Sequence, residues 1–170
     1  MSDIAEAVAR VAAHLEAHPD DGYGWGTDAT ATIEKGLRAS AAYTDGTVVV
    51  TDMPPGIGGD GSAPSPGWLL RAALASCDAT VVAMRAASEG VVLDTLEVTV
   101  AFDFDDRGLV GTDDTVPAGP LSSKVTIRIG ADGVDEAKLR SIVQWSEQHS
   151  PVGDALERAI PSTVEVDIVQ

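Results

Sequence analysis

The sequence predicts an α+β fold, a curled and largely antiparallel sheet packed against its helices, and three observations predict it. Residues 65–87, SPGWLLRAALASCDATVVAMRAA, make one long apolar stretch, with no proline between Pro66 and Pro117. Residues 29–51, 96–104 and 121–129 carry the β-branched texture or strict alternation of strands. The resulting order is helix, three strands, long helix, two strands, two helices and a closing strand, which argues for α+β. No repeat or linker interrupts it, and a chain of 170 residues with 44% hydrophobic content fills one core. A single domain over residues 1–170 is expected, with residues 1–20 as an appended N-terminal amphipathic helix.

Taken in order, Asp3–Ala17 sets Ile4, Val8, Val11 and Leu15 at helical spacing, and His18-Pro19-Asp20-Asp21-Gly22 stops the helix. His14 and His18 lie one turn apart, but no third ligand is near, so an exposed pair and no metal site is expected. Residues 29–51 predict three short strands in a meander, with turns at Lys35-Gly36 and Asp45-Gly46 and Arg38 inside the second strand. The Gly- and Pro-rich residues 52–64 form a loop. They lack the Lys-Ser/Thr ending of a phosphate cradle, and Asp60 would repel phosphate, which excludes nucleotide binding.

The long helix starts where Ser65 can cap it and Pro66 suits the first turn. At 100° per residue, Leu70, Ala73, Leu74, Val81 and Met84 share the face of Cys77, so the thiol is expected to point into the apolar seam. Arg71, Asp78 and Arg85 would be costly in hydrocarbon and argue against a membrane span. Ala72, Ala73, Ala75, Ser76 and Ala79 admit a close neighbour, either a second helix or a symmetry mate.

Leu96–Phe104 alternates Val98, Val100, Phe102 and Phe104 against Glu97, Thr99, Ala101 and Asp103, and Leu121–Ile129 repeats the pattern through Val125, Ile127 and Ile129. The acidic connection between them resembles a calcium loop at Asp103, Asp105 and Gly108, but Arg107 stands at a ligand position, so a solvated turn is expected. Asp135–His149 predicts a helix with Leu139, Ile142 and Val143 inward, Val152–Ala159 a shorter one, and Thr163–Ile168 a closing strand.

Twenty-seven acidic residues against eleven Lys and Arg give a formal charge of −16, a surface that repels phosphate backbones and anionic lipid. Nucleic-acid and membrane partners are not expected. One cysteine cannot form an internal disulfide, and the first residues lack the basic start and apolar run of a signal peptide, so a reduced thiol in the cytoplasm is expected. From the residues alone, Cys77 is either a small buried structural side chain or a reactive thiol.

Several motifs together decide the direction of that choice. Thr51-Asp52-Met53-Pro54 is followed by Gly58-Gly59, and Ala63-Pro64-Ser65-Pro66 runs into Leu69-Leu70-Arg71-Ala72-Ala73-Leu74-Ala75-Ser76-Cys77. Ser150-Pro151-Val152 comes later, with Leu156 and Pro161 beyond. Over residues 29–170 the chain resembles the family of osmotically inducible protein C and organic hydroperoxide resistance proteins (OsmC/Ohr). The resemblance implies an intertwined homodimer, with sheets wrapped around long central helices and active sites at the subunit boundary. It also implies thiol-dependent reduction of organic hydroperoxides in oxidative stress, with no cofactor beyond an external thiol reductant. Cys77 matches the peroxide-attacking cysteine, and Arg38 sits about where a strand arginine would steady its thiolate.

Two positions depart from the family pattern: Ser150 stands where a resolving cysteine is usual, and Gly67 where a glutamate usually partners the arginine. The expected activity is therefore a one-cysteine peroxidase. The alternative is a dimer that has lost turnover and binds an apolar small molecule in its interface crevice. A thiol near its free pKa of about 8.5 is mostly protonated at neutral pH, Cys77 is too far along its helix to gain from the helix dipole, and Asp78 opposes ionisation. An arginine from elsewhere is required on this reading, and Arg38, from the same subunit or its partner, is the candidate.

Overall fold

A computed structural model describes residues 3–169 of the protein; residues 1, 2 and 170 of the expected domain lie outside the described residues. The elements are α1 (Asp3–Ala17), β1 (Thr30–Lys35), β2 (Arg38–Ala42), β3 (Val48–Thr51), α2 (Pro66–Ser88), β4 (Thr95–Asp103), α3 (Asp106–Val110), β5 (Ser122–Gly130), α4 (Glu136–Glu147) and α5 (Pro151–Glu157). The fold is α+β, as the pattern predicts.

The long helix starts with the capping chemistry read from the sequence, and α4 starts in the same way. Ser65 caps α2 by accepting the Trp68 N–H at 3.2 Å, and Asp135 caps α4 by accepting the Lys138 N–H at 2.8 Å. β1, β2 and β3 form the predicted meander, and β4 pairs with β5 in one unbroken antiparallel register from Thr95↔Gly130 to Asp103↔Ser122. Val98, Val100 and Phe102 are half-buried while Glu97, Thr99, Ala101 and Asp103 are exposed, the alternation the pattern requires. The core is built where α2, α4 and the inner face of β4–β5 meet: Val82, Ala86 and Ile142 are buried, and Leu96, Ile127 and Ile129 close over them.

Four expectations are corrected. The strands do not share one sheet but form two, β1-β2-β3 and β4-β5. Thr163–Ile168 forms no strand: its alternating residues Val164, Val166 and Ile168 are exposed, because a strand exists only through a ladder partner and none is paired with it among the described residues. The acidic connection holds the short helix α3, in which Asp105 accepts the Arg107 N–H at 3.0 Å and the Arg107 guanidinium bridges Asp105 and Asp113. Finally, the buried stripe of α2 is Leu74, Asp78, Val82 and Ala86, so of the face expected to hold Cys77 only Leu74 is buried and the thiol itself is half-buried. α2 packs against α1, β4, α4 and α5, and an almost uniformly apolar helix offers no periodicity to single out the deepest of several contacted faces.

Candidate functional site

Cys77 lies in the middle of α2 at intermediate burial and is not in a disulfide. Its polar neighbour comes from the start of α5. Ser150 is 2% exposed, and its oxygen accepts the Gly153 N–H at 3.1 Å, so it caps α5 with Pro151 in the first turn. The same oxygen lies 3.4 Å from Cys77 Sγ and 2.6 Å from Oδ1 of Asp78, which is itself buried. A serine hydroxyl has one proton, and a carboxylate at 2.6 Å takes it. The Ser150 oxygen thus faces the sulfur as an acceptor. Gly153 keeps this corner open, since a Cβ there would meet Ser150 Oγ at 3.1 Å and its Cβ at 3.2 Å.

The sulfur opens onto an apolar crevice of about 1030 Å³. One wall is α1, through Ala5, Val8, Ala9 and Ala12; the floor is α2 from Ala73 to Ser88; the far side is Trp145, His149, Pro151 and Val152. Trp145 and His149 stack at 3.8 Å, and Arg85 covers the Trp145 ring at 4.6 Å. His149 Nδ1 lies 2.7 Å from the Trp145 carbonyl, which can only accept, so Nδ1 carries the hydrogen. Arg85 and Lys138 both pair with Glu89, and the Lys138 hydrogen bond foremost, with the Arg85 and Lys138 charges, holds the Glu89 carboxyl below its usual range against the opposing effect of burial.

Arg38 is held elsewhere within the chain. Its Nε donates to Glu34 at 2.9 Å and its Nη1 to Ser62 Oγ at 2.7 Å; Ser62 in turn donates to Asp52 at 2.8 Å. Asp52 is 2% exposed and also accepts the Ser62 and Met53 N–H groups; the Ser62 bonds above all hold its carboxyl below the usual range. The Gly58-Gly59 pair has a steric reason in this loop. Gly58 has φ +93°, and a Cβ on Gly59 would fall 1.8 Å from the Met53 carbonyl oxygen. Gly67, exposed in the first turn of α2, has no such reason, because the nearest atom to an added Cβ is Ser65 Oγ at 3.9 Å. The carboxylate beside Arg38 is Glu34's.

His14 and His18 lie ring to ring at 4.9 Å, and His14 Nε2 is 2.9 Å from Asp21. Among the described residues no three His, Cys, Asp or Glu gather as a metal site would require.

Residues 59–165, which contain Cys77, Asp78 and Ser150, match the family model described as OsmC-like protein. The chain belongs to the OsmC-like family. Solved structures agree in fold. An OsmC-like protein from Mycoplasma pneumoniae superposes with a TM-score of 0.66 at 15% identity, over 79% of this chain and 89% of that one. An organic hydroperoxide resistance protein OsmC from Legionella pneumophila gives 0.58 at 20% identity, over 79% and 90%. A proposed osmotic stress induced and detoxification response protein from Psychrobacter arcticus gives 0.59 at 25% identity, over 78% and 90%. Comparison with curated proteins finds no significant match.

In this OsmC-like chain the structure brings Cys77 and Ser150 together and leaves Arg38 and Gly67 outside the crevice lining. Sequence reasoning missed three features of these surroundings. Asp78 was read as a charge beside the thiol, whereas it turns inward to Ser150. Glu34 and the Trp145–His149–Arg85 group gave no signal beyond helix or turn spacing, although Trp145 and His149 stand at i and i+4.

Proposed function

We propose that this OsmC-like protein reduces organic hydroperoxides through Cys77 in a one-cysteine cycle. The observation that carries the reading is a solitary cysteine, within the residues that match the family, lining an open apolar crevice and faced at 3.4 Å by a serine rather than a second thiol. Cys77 thiolate attacks the O–O bond, becomes a sulfenic acid and releases an alcohol. Ser150 cannot condense with that sulfenic acid, so an external thiol restores it, and no other cofactor takes part. The Leu, Val and Ala surroundings favour apolar peroxides. The Legionella relative is named for organic hydroperoxide resistance, which supports the same chemistry here.

The protein acts as a homodimer on this reading, with Arg38 of one copy approaching Cys77 of the other. Ile33, Val48 and Val49 of the first sheet are exposed, as are Val164, Val166 and Ile168, and a second copy would cover them. The acidic surface favours a cytoplasmic, unattached protein over one bound to membrane or nucleic acid. The test is consumption of cumene hydroperoxide with dithiothreitol, followed for the wild type and for Cys77→Ser; equal rates in both would refute the proposal.

A second reading has its own support. Arg38 is already engaged by Glu34 and Ser62, which favours a binder of an apolar small molecule that has lost turnover. Stabilisation by apolar ligands in the absence of peroxidase activity would select it.

A further inference from the structure

Cys77, Ser150 and Asp78 lie in a line of two contacts, 3.4 Å from sulfur to hydroxyl and 2.6 Å from hydroxyl to carboxylate. Asp78 is 8% and Ser150 2% exposed. We propose that these three residues form a proton relay that activates the thiol, with Asp78 as the terminal proton acceptor and Ser150 as the carrier. The proposal rests on the reading of Cys77 as the reacting thiol and adds an intramolecular source of the thiolate.

The argument starts from the hydroxyl's single proton. In the resting arrangement Ser150 donates to Asp78, and its oxygen is free to accept from the Cys77 S–H. A sulfur that ionises needs a donor, not an acceptor, so the hydroxyl has to reverse. It can do so only if Asp78 becomes the donor at the other end. The concerted step breaks the Cys77 S–H bond as a Ser150 O–H bond forms, and breaks the original Ser150 O–H bond as a bond from hydrogen to Asp78 Oδ1 forms. Thiol plus carboxylate becomes thiolate plus carboxylic acid, with the net charge unchanged. This suits a site where both Asp78 and Ser150 are shut off from water.

The second half of the reaction uses the same proton. The thiolate attacks the terminal oxygen of a hydroperoxide; the S–O bond forms, the O–O bond breaks, sulfur is oxidised to the sulfenic acid, and the alkyl oxygen leaves as an alkoxide. The proton on Asp78 returns through Ser150 to that alkoxide, which leaves as the alcohol, and Asp78 is again a carboxylate. A cysteine at position 150 would condense with the sulfenic acid instead. The serine exchanges resolving chemistry for proton transfer.

Other charged groups near the relay have partners or different positions. Arg85 and His149 share the crevice wall. Asp154 of α5 pairs with Arg158, Lys138 of α4 with Glu89, and Glu97 of β4 faces outward toward Arg128. Glu6 and Arg10 of α1 are exposed, and the α1 residues lining the crevice are apolar.

The test measures alkylation of Cys77 by iodoacetamide as a function of pH, which reads nucleophilicity whether or not the protein turns over peroxide. A thiol that ionises only to solvent gains about tenfold in rate per pH unit below its pKa. A relay couples the two groups, so that over the pH range in which Asp78 is otherwise ionised the reactive thiolate–carboxylic acid form keeps a constant share, and there the wild-type rate levels to a plateau instead of falling tenfold per unit. The plateau should vanish, leaving the tenfold slope, in Asp78→Asn and Ser150→Ala, and should persist in Ser150→Thr, which keeps the hydroxyl and the cap. His149→Gln should leave it in place. Circular dichroism checks that each variant is folded, and either Asp78→Asn or Ser150→Ala suffices if the other is not. A wild-type profile without a plateau, a plateau that survives both variants, or one that disappears with His149 would overturn the relay. A plateau behaving as described in a protein that does not consume hydroperoxide would uphold the relay and reject the peroxidase reading.

Discussion

Ser150 Oγ lies 3.4 Å from Cys77 Sγ while the same oxygen caps α5, so one side chain holds a helix end in place and faces the thiol of another helix. The sequence separation of 73 residues is closed by α5 packing on α2. Any change at position 150 therefore acts on both stability and sulfur chemistry.

Ser150→Cys should place two sulfurs within bonding reach. Under mild oxidation the variant is expected to lose both titratable thiols, and dithiothreitol should restore them. The lost cap should cost about 1 kcal/mol in the reduced protein, measured by urea unfolding. Two thiols that stay free under oxidation would show that the side chains cannot approach.

Cys77→Ser should abolish hydroperoxide consumption and leave the circular dichroism spectrum unchanged, because Cys77 is only half-buried and lines an open space. The measurement is the rate with an alkyl hydroperoxide and an external dithiol.

α1 forms a wall of the crevice, so its small residues set the crevice's width. Ala9→Trp is expected to slow alkylation of Cys77 by a bulky apolar maleimide by about tenfold or more, equivalent to about 1.4 kcal/mol, and to slow iodoacetamide much less. Equal effects on the two reagents would mean that α1 does not restrict entry.

Gly67→Glu should be accommodated, since the space beside Gly67 is open and a carboxylate in the first turn of α2 meets the positive end of the helix. A gain of about 0.3–1 kcal/mol in unfolding free energy is expected, smaller at high salt. A loss would indicate an unfavourable contact at that position.

Glu89, drawn below its usual carboxyl range by Lys138 and Arg85, makes stability depend on pH. The sign follows from linkage: a carboxylate with a lowered folded-state pKa stabilises the fold above the unfolded value near 4.5, and that contribution is lost as pH falls through the lower folded value. Thermal unfolding followed from pH 7 to pH 3 should show a decline in Tm that is shallower in Glu89→Gln.

The legible part of this protein is the part encoded locally. Caps, turns and alternation depend on neighbouring residues, so Ser65, Asp135, Asp45-Gly46 and the β4–β5 pattern marked their elements directly. The motif around Cys77 pointed to the correct family for the same reason. The closing strand at Thr163–Ile168 was illegible as an absence, because alternation shows that a segment can pair, not that a partner edge is near.

By itself the sequence determined the α+β class, the family, and the solitary thiol on a long helix capped by Ser65. Only the tertiary structure decided that Asp78 turns inward to Ser150, that α1 walls the thiol crevice, and that Glu34 and Ser62 hold Arg38. The reason is physical. A hydrogen bond between residues 72 positions apart depends on how helices pack, and an apolar helix contacted on several sides carries no periodicity that says which of its faces meets which neighbour.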